Sequence, residues 1–178
     1  MLPPGHIAAG FLTAEALLHF THPELSPLQQ NQMLWWGMFF GFAPDLDYFW
    51  IFFREQAFTI KNSQKNNHRR LISHAPILWL IAGLLIYFLS RSAYIQTVGL
   101  LVWLASWSHL ILDSVEDGIM WLWPLSKKQF ALSFPPNIIV QDRRFFRHWW
   151  SFFQQYLKRL TFYLEVLTIL TALIIYFK

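Results

Sequence analysis

The chain has 178 residues, enough for one domain; 55% are hydrophobic and only 13% charged, about half the charge of an average soluble domain. Cysteine is absent, which excludes a disulfide framework and a thiolate metal site, so any metal is left to His, Asp and Glu. The net charge of +4 is modest, and its clustered basic residues bear on membrane orientation more than on nucleic acid. Aromatics at 19%, with ten Trp and eighteen Phe, complete the profile of an integral or tightly membrane-associated protein. There is no internal repeat and no GxGxxG-type loop.

Met1-Leu2-Pro3-Pro4-Gly5-His6 lacks the basic opening of a cleavable signal peptide, and the apolar stretch behind it carries His6, Glu15 and His19. Proline suits the first turn of a helix, here expected over about 6–20. His6, Ala9, Gly10 and Thr13 share one face, a small-residue stripe that lets another helix approach closely. His6 stands at the mouth of that contact, either as an interfacial side chain or as a ligand. His19 and His22, at the helix end before Pro23, read as structural or solvated. Residues 22–31 read as a polar loop.

A second apolar run covers 33–44, too few residues to span a bilayer alone, and Pro44 is expected to break it near Ala43. Asp45 and Asp47 follow among aromatics. One of them could cap a helix over 48–53, which leaves the other unexplained. They converge only if the backbone around Leu46 is not extended. The first polar segment, 54–70, holds Lys61, Lys65, Arg69 and Arg70 and leads into His68-Arg69-Arg70-Leu71-Ile72-Ser73-His74-Ala75-Pro76. Ser73 is placed to cap the next helix, with Pro76 in its first turn. Apolar helices are expected over 75–89 and 94–113, joined by a turn at 90–92 and both short for a full span.

The second of these ends in Ser106-Trp107-Ser108-His109-Leu110-Ile111-Leu112-Asp113. Helical spacing puts His109 and Asp113 one turn apart on one face, with Ser106 before them and Asp117 beyond. An imidazole and a carboxylate on so apolar a helix are costly unless paired or bound, and the pair reads either as a metal grip or as a hydrogen bond at a helix end. In an antiparallel hairpin the start of the first helix meets the end of the second, so His68 and His74 join His109 and Asp113. That end also holds Lys61, Lys65, Arg69, Arg70, Lys127 and Lys128, against Arg91 at the opposite turn. The positive-inside rule makes it cytoplasmic.

Residues 116–126 read as short amphipathic or irregular structure, with Trp121 and Trp123 at an interface or roofing a pocket. Residues 127–160 are basic and aromatic, and Arg143, Arg144, Arg147 and His148 before Trp149 and Trp150 suit anionic lipid headgroups better than nucleic acid. Residues 162–177 are nearly all apolar and suit a C-terminal membrane anchor.

Asp-Leu-Asp after Ala-Pro, the His-Arg-Arg-Leu-Ile-Ser-His block, Ser-His-Leu-Ile-Leu-Asp and Gly-Ile-Met-Trp-Leu-Trp-Pro-Leu-Ser resemble, in order and from about His6 to Ser126, the family of LexA-regulated, inner-membrane-associated, metal-dependent hydrolases. The order His, Asp, His, His-x-x-x-Asp is also distantly similar to the helical zinc-dependent phospholipase C and P1 nuclease group. The chain departs from that group in having one His-x-x-x-Asp pair and no evident processed N-terminus as a ligand, which favours one or two metals over three. His68-Arg69-Arg70 also departs from the His-Arg-Gly of the family.

The expectation is an all-α, membrane-associated bundle: a metal-site domain over 1–126, an interfacial segment over 127–160 and a C-terminal transmembrane helix over 161–178. Metal ligands are expected from His6, Asp45, His68, His74, His109 and Asp113, holding a divalent ion, zinc before manganese or iron. Asp47 or Asp117 would act as general base and Arg69 would hold a phosphate, while His74, His6 and Asp47 could instead orient the ligands. The resemblance implies a mostly helical protein of the bacterial inner membrane with a His/Asp metal site; the expectation is a multi-pass, metal-dependent hydrolase with its site on the cytoplasmic side, a location that a membrane-lying phosphoester such as a lipid headgroup fits best. The competing readings are a non-enzymatic scaffold with a structural metal or polar cluster, and a membrane-bound nuclease.

Overall fold

The structure, a computed structural model, describes residues 1–47, 68–135 and 145–178, with the side chains of His68 and Phe145 outside that description. The helix expected over 48–53, Lys61, Lys65, Arg143 and Arg144 lie outside the described residues. Among those described, six α-helices form the architecture: α1 Pro3–Thr21, α2 Pro27–Phe42, α3 Pro76–Leu89, α4 Ala93–Asp113, α5 Phe145–Tyr156 and α6 Leu160–Tyr176. The protein is all-helical, with one isolated bridge between Ile119 and Phe130 as its only described β pairing.

Helix α1 begins at Pro3, earlier than expected, because Pro fits the first turn where no N–H is needed. It ends where His22 turns left-handed (φ 41°) and its N–H caps Leu18 O; both His19 and His22 are exposed. The polar loop expected over 22–31 is shorter than that. Helix α2 starts at Pro27 through a capping box: Ser26 Oγ accepts from Gln29 N while Gln29 Oε1 accepts from Ser26 N. Pro44 ends α2 at Phe42 as expected, and the chain continues as a 3-10 turn over Ala43–Asp45.

Helices α1 and α2 pack backbone to backbone. A Cβ on Gly10 would lie 2.1 Å from Gly37 O, and one on Gly41 would lie 2.5 Å from His6 O. The small-residue stripe of α1 thus meets glycines of α2. The α3–α4 hairpin closes in the same way, with Gly83 against Gly99. Helix α4 runs through the middle: Leu101 packs with Ala14, Leu17 and Met33 in the core, and Ala105 and Leu110 are fully buried. Helix α6 leans on α1 through Ala172, Ala8 and Phe11.

Among the described residues, α4 is long and apolar enough to cross a membrane; α5 and α6 reach that measure only together, and they are bent by 88°. The start of α6 is tied to the segment after α4. Glu116 accepts from Leu160 N at 3.2 Å, from Thr161 N at 3.1 Å and from Thr161 Oγ1 at 2.7 Å, satisfying the first-turn N–H groups of α6. Partial burial raises the Glu116 carboxyl, but the bonds from Thr161 and Leu160, with Arg159 nearby, outweigh it and hold the pKa below the usual value. The ionised form therefore stabilises the fold above the unfolded pKa, near 4.3, and that contribution fades as pH falls through the lower folded value. Glu116→Gln is expected to cost about 1 kcal/mol at neutral pH. In thermal unfolding by circular dichroism the gap between variant and parent should narrow below pH 4.

Candidate metal centre

Four elements meet at the end of α4. From α4 itself come His109 and Asp113; from the turn after α2, Asp45 and Asp47; from the 3-10 turn Ile72–His74 that leads into α3, His74; and from the start of α1, His6. His6, His74, His109 and Asp113 are fully buried. The hairpin reading thus correctly places His74 beside His109, with ring centroids 5.6 Å apart.

One ligand atom from each of Asp45, His74, His109 and Asp113 lies within 4.8 Å of the other three. Asp45 Oδ1 is 3.5 Å from His74 Nε2 and 3.5 Å from His109 Nε2, and His109 Nε2 is 3.9 Å from Asp113 Oδ2. Four atoms held about 2.0–2.1 Å from a zinc-sized ion at tetrahedral angles would be about 3.4 Å apart, so the spacings suit a shared ion. His109 Nδ1 lies 2.9 Å from Gly41 O, which fixes the proton there and leaves Nε2 as a lone pair. That Nε2 is buried with no hydrogen-bond partner. A buried acceptor aimed at two carboxylates fits a cation, and the nitrogen and oxygen donor set fits zinc, manganese or iron.

The two early aspartates have different places. Leu46 is helical (φ −61°, ψ −24°), so the backbone is not extended and both carboxylates turn toward His74. Asp45 faces Nε2, on the ion side. Asp47 faces Nδ1 at 3.1 Å, on the far side, and also accepts from Ser73 Oγ. Ser73, expected to cap α3, serves Asp47 instead, and Ala75 occupies the cap position. Burial disfavours the His74 cation, but the bonds to Asp45 and Asp47 outweigh it and raise its pKa. Asp47 therefore stands where an orienting partner stands, behind the ligand ring. Asp47→Asn is expected to weaken metal affinity 10–100-fold while leaving the fold intact, measured by competition with a chelating dye.

Asp113 is shared. Its Oδ2 accepts from Arg69 Nε at 2.7 Å, and its Oδ1 lies 2.9 Å from the Met1 α-ammonium and 3.2 Å from His6 Nε2. His6 stacks on His109 with centroids 3.7 Å apart. Asp117, one third exposed, lies 3.0 Å from Arg69 Nη2 and 3.7 Å from the Met1 amine. Burial disfavours both cations, but Asp113 and Asp117 outweigh it and raise the pKa of each. The side chain of His68 lies outside the described residues, so its expected ligand role has no place in this geometry. The Met1 amine and the Gly41 carbonyl are contacts that sequence reasoning did not anticipate, since neither belongs to a motif.

The arrangement could hold one divalent ion among four ligand atoms that lie within 4.8 Å of one another, beside a guanidinium that meets both Asp113 and Asp117. No curated protein and no solved structure shows a significant match to the chain. A family model described as YdjM inner membrane protein matches residues 1–178, in agreement with the inner-membrane family its motifs resemble, and the chain belongs to that family.

Proposed function

We propose that the protein is a membrane-bound, metal-dependent hydrolase of phosphoesters, with a lipid headgroup as its substrate class and its site at the cytoplasmic face. The observation that carries this reading is the uneven ligand set. Asp45 Oδ1 stands 3.5 Å from both His74 Nε2 and His109 Nε2, whereas Asp113 Oδ2 is 3.9 Å from His109 Nε2 and already accepts from Arg69. Three protein ligands with one position left for water is the pattern of a catalytic rather than a structural site. A divalent ion held there would lower the pKa of a bound water and polarise the scissile bond.

The chain's own residues supply the rest. Asp117, partly exposed and next to Arg69, is the better placed general base, and Asp47 keeps His74 oriented. Arg69 meets Asp113 and Asp117 beside the ligand atoms, and a planar guanidinium fork suits phosphate oxygens. Arg70, Lys127 and Lys128 lie toward the same end of the fold, where Arg70 Nε donates to Gln129. The membrane family and this basic end support a membrane-lying phosphoester at the cytoplasmic face.

A structural-metal scaffold has its own support, because Asp113 could complete a four-ligand tetrahedron. Hydrolysis of bis(p-nitrophenyl) phosphate, and headgroup release from phosphatidylglycerol in nanodiscs, separate the two. Metal-restored turnover that Asp117→Asn lowers at least 100-fold, with metal content unchanged, is expected. Stoichiometric metal with no turnover on either substrate moves the assignment to the scaffold. Turnover of single-stranded DNA in place of lipid, weakening steeply with salt, moves it to a nuclease.

A further inference from the structure

Helix α5 has three faces. At 100° per residue, His148, Phe152 and Tyr156 fall on one side; His148 and Tyr156 are buried, and Phe152 stacks on Tyr156. Arg147, Ser151, Gln154 and Gln155 fall on a second. Phe146, Trp149, Trp150 and Phe153 form the third, an i, i+3, i+4, i+7 stripe, and all four are exposed, Phe146 by 86% and Trp150 by 63%. An exposed aromatic stripe of this kind calls for a covering surface. Residues 145–159 carry Arg147, Lys158 and Arg159 and no acid, and the helix turns through 88° into the apolar α6. A helix with one face on the protein, one aromatic and one cationic and polar meets the conditions of an in-plane membrane helix.

We propose that α5 lies in the headgroup–acyl boundary of an anionic leaflet, aromatic stripe down, and that it sets the metal centre at headgroup depth. The second half follows from connectivity. The corner between α5 and α6 is held by Glu116 at Leu160 and Thr161. Glu116 is three residues from Asp113, a chain reach of about 10 Å. The plane that receives α5 therefore passes close to the site. This inference rests on the fold and stands whether or not the site hydrolyses anything.

The cysteine-free chain permits single nitroxide labels. Phe146→Cys and Trp150→Cys report the aromatic face, Gln154→Cys the polar face, and Ile111→Cys, on a half-exposed position of α4 just before Asp113, the depth of the site. All are read in full-length protein in phosphatidylglycerol-containing nanodiscs, after checking that helix content and metal content match the parent. Labels at Phe146 and Trp150 are expected to collide severalfold more with oxygen than with a water-soluble nickel chelate, and the label at Gln154 the reverse. The Ile111 label should sit at the depth of the Phe146 label. Replacing phosphatidylglycerol by phosphatidylcholine should raise nickel collisions at Phe146; an unchanged rate overturns the anionic preference. Nickel access at all α5 labels overturns the in-plane helix, as does bilayer-centre depth on both faces. An Ile111 label at bilayer centre overturns the depth assigned to the site.

Discussion

Asp113→Asn is expected to abolish metal retention, from about one ion per chain to less than a tenth, and to lower stability as well. The first effect follows from charge: without the Asp113 carboxylate, the Arg69 guanidinium and the Met1 ammonium would repel an ion held by Asp45, His74 and His109. The second follows from its partners. The carboxylate neutralises the Arg69 guanidinium and the Met1 ammonium in a buried place, and an amide leaves both to the partly exposed Asp117. Breaking a buried pair by removing one member costs about 3–5 kcal/mol. His109→Ala separates the two effects, because His109 neutralises no charge. It should lose the metal with a smaller drop in melting temperature. Metal content by mass spectrometry, beside thermal unfolding in detergent, reads both. Full metal content in both variants would remove the proposed centre.

Gly10→Ala is expected to be nearly as damaging although it touches no ligand. The added Cβ would sit 2.1 Å from the Gly37 carbonyl oxygen and 3.0 Å from Gly41 Cα, both backbone atoms that cannot rotate away. Overpacking of this kind costs about 1–3 kcal/mol, and the helices must move apart to relieve it. Gly41 carries the carbonyl that holds His109, and Asp45 follows in the turn after α2, so separating α1 from α2 also opens the site. A lowered melting temperature together with weakened metal affinity is expected. Leu28→Ala, exposed at the start of α2, should change neither.

The legible parts of this chain are those written in local pattern. Alternation of apolar runs and proline gave the α3–α4 hairpin nearly to the residue, and hairpin geometry alone brought His74 to His109 and Asp113. The small-residue face of α1 pointed to a close helix contact, which Gly37 and Gly41 complete. The missed features have tertiary causes or were hidden by polarity. The start of α2 at Pro27 looked like loop because Gln29, Gln30 and Asn31 are polar, although Ser26 and Gln29 formed a capping box that could have been read. The distinct places of Asp45 and Asp47 depend on which nitrogen of His74 each meets, and spacing does not encode that. The buried Met1 amine depends on where α1 enters the bundle. The aromatic run of α5 suggested an interface, but its three faces require knowing which side the rest of the chain covers.

The Asp45, His74, His109 and Asp113 quartet spreads the centre across much of the polypeptide, and this bears on how the protein is made. During synthesis the first helical pair emerges with only the Asp45 part of the site, and α3 adds His74 before any of α4 exists. The four ligands cannot meet until α4 has been translated and packed against the α1–α2 pair and α3. Metal capture at this site would therefore be a late event, reporting finished assembly of the first five-eighths of the chain. A chain stalled before that point would hold Asp45 and His74 without the His109 and Asp113 that face them in the finished fold.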